Sequence, residues 1–207
     1  MRKGKRVVVT DGVSANGDKL VRGFASYGAS TAFFYSHSYD KALVLSREAS
    51  ALNIRCKIAK LDSLWSAREV LRGYFDDEFD TLVCNIDLAN DTDFDDMSGE
   101  KWRREVIAEI DGLFYIIRAL RPFMNRNGGS IIIAAAKDEN SGFASKIMES
   151  YIEGLTRSLS ESMRSVGIHV NAIIYRNSDY AGSHVFEAVR QLASSDSSFI
   201  TGQIIRL

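Results

Sequence analysis

Proline is almost absent: Pro122 is the only one in 207 residues. That excludes proline-rich linkers and polyproline ligand segments. Cysteine is nearly as scarce. Cys56 and Cys84 stand in apolar runs far apart in sequence. Such a pair makes no disulfide framework and reads as two buried thiols in a reducing compartment. Neither belongs to a CxxC or Cys/His cluster, so no metal site is expected. An excess of one charge is missing too. Lys and Arg number 26 against 27 Asp and Glu, a net charge of −1, so no partnership with nucleic acid or an anionic membrane is expected. Long apolar runs are also lacking. The basic stretch from Met1 to Arg6 leads only into Val7-Val8-Val9, too short for a secretory signal or a membrane span. A cytoplasmic protein is the expectation.

What is present is an ordinary globular composition, 45% hydrophobic and 26% charged, of a length that suits one domain over 1–207. Short β-rich runs recur at Arg6–Thr10, Ser30–Tyr35, Ile54–Leu61, Thr81–Asn85, Ser130–Ala135, His169–Ile174 and Gln203–Leu207. Amphipathic segments fall between them, near 16–27, 40–52, 64–76, 100–124, 145–165 and 183–194. Strands that are apolar without alternation are buried on both faces. Alternation with helices then gives an α/β fold: a Rossmann-like, doubly wound parallel sheet of about seven strands in three α/β/α layers. Segment 100–124 reads as one long helix. Phe114, Tyr115, Ile116 and Ile117 are consecutive in it, so they point around the helix. An apolar patch at Phe114 and Tyr115 is expected unless another chain covers it.

In such a fold, ligands bind beyond the carboxyl ends of the strands, and the first turn carries glycines. Here Val7-Val8-Val9-Thr10 runs into Asp11-Gly12-Val13-Ser14-Ala15-Asn16-Gly17. Further along come Gly28-Ala29, Leu61-Asp62-Ser63, Asp80-Thr81-Leu82-Val83-Cys84-Asn85 and Gly129-Ser130-Ile131-Ile132. Glu153-Gly154-Leu155-Thr156-Arg157-Ser158-Leu159, Gly167-Ile168-His169-Val170-Asn171-Ala172-Ile173 and Ile200-Thr201-Gly202-Gln203 follow. In this order and spacing, over nearly the whole chain, these motifs resemble the short-chain dehydrogenase/reductase family.

The resemblance implies hydride transfer with a nicotinamide cofactor. A tyrosine serves as acid/base, a lysine lowers its pKa, a serine orients the carbonyl and an asparagine holds a water. Aligned on Glu153-Gly154-Leu155-Thr156, these four positions fall on Ser145, Glu149, Ala136 and Glu109. All four are changed. An aliphatic hydroxyl has no accessible pKa without a base, and a glutamate opposes ionisation of a neighbour. Phe143-Ala144-Ser145-Lys146 imitates the catalytic motif, but its acid position is Phe143, which has no hydroxyl. Tyr151 and Lys137 are the nearby candidates for a rebuilt site.

The positions that resemble the cofactor site are Asp11, Gly12, Ala15, Gly17, Asp62 and Asn85. Asp11 and Ala15 replace two glycines of the turn. Ala15 puts a methyl, and Asp11 a carboxylate, where a pyrophosphate would approach the helix N-terminus. The carboxylate could instead cap that helix. Neither an acid nor an arginine follows the second strand, where Tyr35-Ser36-His37-Ser38 stands. Asp62 and Asn85 read as strand-end hydrogen bonders. The substrate lid after Ile174 is short, and the chain stops at Leu207 without the family's tail.

Taken together, these residues imply a catalytically inactive member that binds no cofactor. It would be a structural or regulatory subunit of an active paralogue, one acting on a hydroxyacyl-CoA or similar thioester by analogy with mixed assemblies in the family, or a homo-oligomer. The four-helix contact implied by the resemblance would use segments 100–124 and 145–165. Two alternatives stand beside this: an NAD- or NADP-dependent oxidoreductase with a rearranged site, and a nucleotide-binding regulatory module.

Overall fold

The computed structural model describes residues 4–36, 38–55, 78–88, 92–125, 128–140, 142–177 and 184–207, with the backbone alone at 52–55. His37, Cys56 and Asp62 lie outside the described residues, as do the expected helix at 64–76 and the residues 178–183 that the lid would include.

Valines and isoleucines build the sheet because branched side chains suit a pleated surface packed on both sides. The strands are β1 (Arg6–Val9), β2 (Ser30–Tyr35), β3 (Leu52–Arg55), β4 (Thr81–Asp87), β5 (Gly129–Lys137), β6 (Ile168–Arg176) and β7 (Ile204–Arg206). All pair in parallel, in the order β3-β2-β1-β4-β5-β6-β7. The order reverses direction between β1 and β4, which sets the ligand crevice of a doubly wound sheet at their carboxyl ends.

The helices are α1 (Ala15–Ser26), α2 (Tyr39–Ala49), α3 (Gly99–Trp102), α4 (Ala108–Leu120), α5 (Phe143–Met163) and α6 (His184–Leu192). Side chains alternate between the two faces of the sheet, so successive residues feed different cores. Val8, Ile131, Ile133 and Val170 pack with Leu113, Leu120, Met148 and Ile152 of α4 and α5. Val7, Val9, Ile132 and Ile173 pack with Leu20, Phe24, Val185 and Val189 of α1 and α6. Three layers result.

The long helix expected over 100–124 is not uniform. A π-helical turn, Arg103–Ile107, joins α3 to α4, and a 3-10 turn over Arg121–Phe123 ends the run at Pro122. A π turn inserts a residue and rotates the side chains that follow it. Ile116 and Ile117 are then buried, while Phe114 and Tyr115 remain 43% and 38% exposed. Four consecutive apolar residues therefore divide evenly between core and surface. The segment near 40–52 also ends early: α2 stops at Ala49, Ser50 adopts a left-handed conformation with φ 50, and β3 begins at Leu52.

Candidate functional site

The β1–α1 turn keeps a glycine-type backbone without the glycine. Asp11 stands at φ 44, a conformation costly for side chains other than Asn and Asp. A Cβ on Gly12 would overlap the Phe33 ring, and one on Gly17 would collide with the Asp11 carbonyl oxygen. Both glycines are thus required by the chain's own packing.

The cap of α1 is Ser14, not Asp11: the Ser14 hydroxyl accepts from the Gly17 N–H at 3.1 Å. The Asn85 side chain, reaching from β4, donates to Ser14 Oγ at 2.9 Å and to the Asp11 carbonyl at 3.4 Å. Thr10 Oγ1 accepts from the Asn85 N–H at 2.9 Å. Asn85 and Thr10 therefore tie β4 to the turn, the role expected of a strand-end hydrogen bonder. Ala15 is the exposed first residue of α1.

A second set of contacts crosses the same rim. Asn16 Nδ2 donates to Asn177 Oδ1 at 2.8 Å, and Asn177 Nδ2 donates to Asp138 Oδ1 at 2.8 Å. This bridge spans the start of α1, the residue after β6 and the residue after β5. No local sequence signal marked it. Asn16 and Asn177 are 161 positions apart, and each alone reads as a loop asparagine.

Beyond β5 lie the positions matched to the catalytic set. Ala136 is fully buried in the core. Ser145, near the start of α5, is 2% exposed and its hydroxyl has no hydrogen-bond partner. Glu149, one turn further, pairs with Lys137 at 3.0 Å and with Arg206 at 3.2 Å. Arg206 also pairs with Glu153. The Glu149 carboxylate is thus balanced by a lysine from β5 and an arginine from β7. Tyr151 donates to the Ile110 carbonyl at 3.3 Å. Burial, and secondarily Asp111, raises its phenol pKa, the direction opposite to an activated acid.

Glu109, in the first turn of α4, stands beside two cavities that open at the carboxyl ends of the strands. The larger, about 490 Å³, is lined by Thr10, Asn85, Glu109, Asp111 and Tyr115 with apolar neighbours. The smaller, about 200 Å³, is lined by Asp87, Arg104, Glu105, Glu109 and Ser145 with Leu88, Ala144 and Met148. Glu109 is exposed because it stands in this open crevice. Protein still surrounds its carboxyl closely enough to remove part of its hydration. That partial burial, then Asp11, then Asp87, raise its pKa above the ordinary value. The structure thus brings Glu109 and Ser145 to one cavity, and places Glu149 in an ion pair and Ala136 in the core.

A profile described as enoyl-(acyl carrier protein) reductase matches residues 14–179. The chain is 28% identical over 181 residues to a D-xylose 1-dehydrogenase of Caulobacter vibrioides, covering 84% of this chain and 72% of that one. It is 27% identical over 186 residues to a 3alpha-hydroxysteroid dehydrogenase of Mediterraneibacter gnavus, covering 84% and 73%. The solved structure of a short-chain dehydrogenase/reductase from Serratia marcescens superposes with a TM-score of 0.84 at 20% identity, over 99% of this chain and 96% of that one.

Proposed function

Because the chain belongs to the short-chain dehydrogenase/reductase family, a family of nicotinamide-dependent oxidoreductases, we propose that it is a catalytically silent member whose fold serves association. The observation that carries this reading is the pair Ser145 and Glu149. At the position of the family's tyrosine stands a buried aliphatic hydroxyl with no base bonded to it. At the position of its lysine stands a carboxylate held by Lys137 and Arg206. Neither an ionisable acid nor a cation to lower its pKa remains there.

The β1–α1 turn supports the same reading, because Asp11 adds negative charge where a pyrophosphate would approach the helix N-terminus. The Asn16–Asn177–Asp138 bridge spans the rim beside it.

Association is supported by the α4 surface. Phe114 and Tyr115 stack edge to face at 5.5 Å, and Ile107, seven residues before Phe114, is exposed as well. On α5, a Cβ added to Gly154 would meet nothing within 4 Å. A mid-helix glycine costs stability, and a second helix approaching closely would use that space. The partner is an active paralogue or a second copy of this chain.

Likeness to a D-xylose 1-dehydrogenase and a 3alpha-hydroxysteroid dehydrogenase favours a second reading, an active NAD- or NADP-dependent oxidoreductase with a relocated acid. Tyr151 and Lys137 would have to serve it, and both are engaged elsewhere. Turnover by the purified chain against a panel of sugars, hydroxysteroids and hydroxyacyl thioesters decides between them. The proposal expects rates at background with either nicotinamide cofactor. Turnover that disappears in Tyr151→Phe or Lys137→Met would replace it with the second reading.

A further inference from the structure

The outward face of α4 carries a pattern that the chain's own fold leaves unused. From Ala108 to Leu120 the helix is regular, so residues three, four and seven apart share one side. Asp111, Phe114, Tyr115 and Arg118 have that spacing, and all four are exposed. They make a single stripe: an acid, two aromatic rings and a base. At about 1.5 Å of rise per residue, the acid and the base stand about 10 Å apart along the axis, too far to pair with each other. Among the described residues neither makes an ion pair. Arg118 lies instead over the Phe114 ring, 6.0 Å from its centroid.

Acid, ring, ring, base is its own complement when reversed. An identical helix lying antiparallel sets Asp111 against Arg118 of the second copy, and Arg118 against its Asp111. The Phe114 and Tyr115 rings of the two chains meet between these pairs. Ile107, four residues before Asp111, and Pro122, four after Arg118, are exposed too, and the same axis sets one against the other. One two-fold axis between Phe114 and Tyr115 thus generates every contact twice, as a closed dimer requires. A parallel arrangement fails, because it sets acid against acid and base against base. A different chain would have to supply the same four side chains in the same order, whereas a second copy already has them. The rings contribute buried area, and the charges fix direction and partner.

Resting on the association proposed above, we infer that the partner on α4 is a second copy of this chain. The two helices pack antiparallel about a two-fold axis at Phe114 and Tyr115, and Asp111 and Arg118 pair reciprocally across it.

Sedimentation equilibrium of the unmodified chain, Asp111→Arg and Arg118→Asp tests this. The unmodified chain should run at twice the chain mass, with a dissociation constant of about 10 μM or tighter. Each variant puts like charges at both symmetric contacts and should weaken the dimer by at least about tenfold, while circular dichroism reports it folded. Mixed in equal amounts, the two variants regain opposite charges at both contacts, and the dimer should return. If either reversal fails to fold, Asp111→Asn and Arg118→Gln take its place, each weakening the dimer by a smaller factor. A monomeric unmodified chain, association unchanged in the folded variants, or a mixture of folded reversals that stays monomeric would each overturn the inference. Turnover is read separately: a monomer with rates at background removes the second copy as partner and leaves the catalytically silent reading in place.

Discussion

At the scale of single residues, Glu109 gathers most of the site's unusual physics. Its carboxyl is partly desolvated and stands in the fields of Asp11 and Asp87, so its folded-state pKa is above the ordinary 4.5. Protonated, it suits its surroundings; ionised, it does not. The stability it contributes is fully present below its unfolded pKa and is lost as the pH rises through the raised folded value. Glu109→Gln should therefore melt higher than the parent chain at pH 8 and at the same temperature near pH 4. Thermal melts at the two pH values check this, and an equal shift at both would contradict it. Position 109 was singled out in the sequence because the register of the family motifs assigns it to the asparagine. The same register assigns Ser145, Glu149 and Ala136 to the other three positions. What surrounds them was not legible. The Lys137–Glu149–Arg206 ion pairs and the Asn16–Asn177–Asp138 bridge join residues from different strand ends. A single sequence carries no signal for such long-range partners. The suggestion that Asp11 caps α1 failed for a local reason: Ser14, three residues on, holds the N-cap geometry with φ −68 and ψ 165, and Asp11 does not.

At the scale of elements, sequence reading served the strands better than the long helix. Runs of branched apolar residues have few alternatives to a buried parallel strand, and β2 begins and ends where its run does. The residues matching family motifs in this frame have visible structural work. Asn171 donates to the Ile200 carbonyl at 2.9 Å and accepts from the Gln203 N–H at 3.0 Å, holding β7 to β6. Gly167 supplies the left-handed turn between α5 and β6 at φ 69. The π turn at Arg103–Ile107 was not legible, because apolar spacing of three and four tolerates one inserted residue. It matters, since it determines which side of α4 faces outward. Phe114 is exposed there, with Arg118 6.0 Å from its ring centroid. If α4 carries the association surface, Phe114→Glu should dissociate the assembly. The fold should change by no more than about 0.5 kcal/mol, as for an ordinary surface substitution. Light scattering paired with a denaturant melt reads both quantities. Retention of the assembly in this variant would remove α4 from the interface.

At the scale of the whole molecule, the proposal sets a familiar framework against an altered site. The sheet order, the two cores and the strand-end turns are those of a dinucleotide-binding fold. The rim that should meet the dinucleotide is capped, bridged and negatively charged. No helix among the described residues is long and apolar enough to cross a membrane. On the proposed function the crevice no longer receives a dinucleotide. Calorimetric titration of the purified chain with NADH and NADPH tests it most directly. No saturable heat is expected at cofactor concentrations up to about 1 mM, the range in which a weak complex still binds measurably. A single site with a micromolar dissociation constant for either cofactor would contradict it.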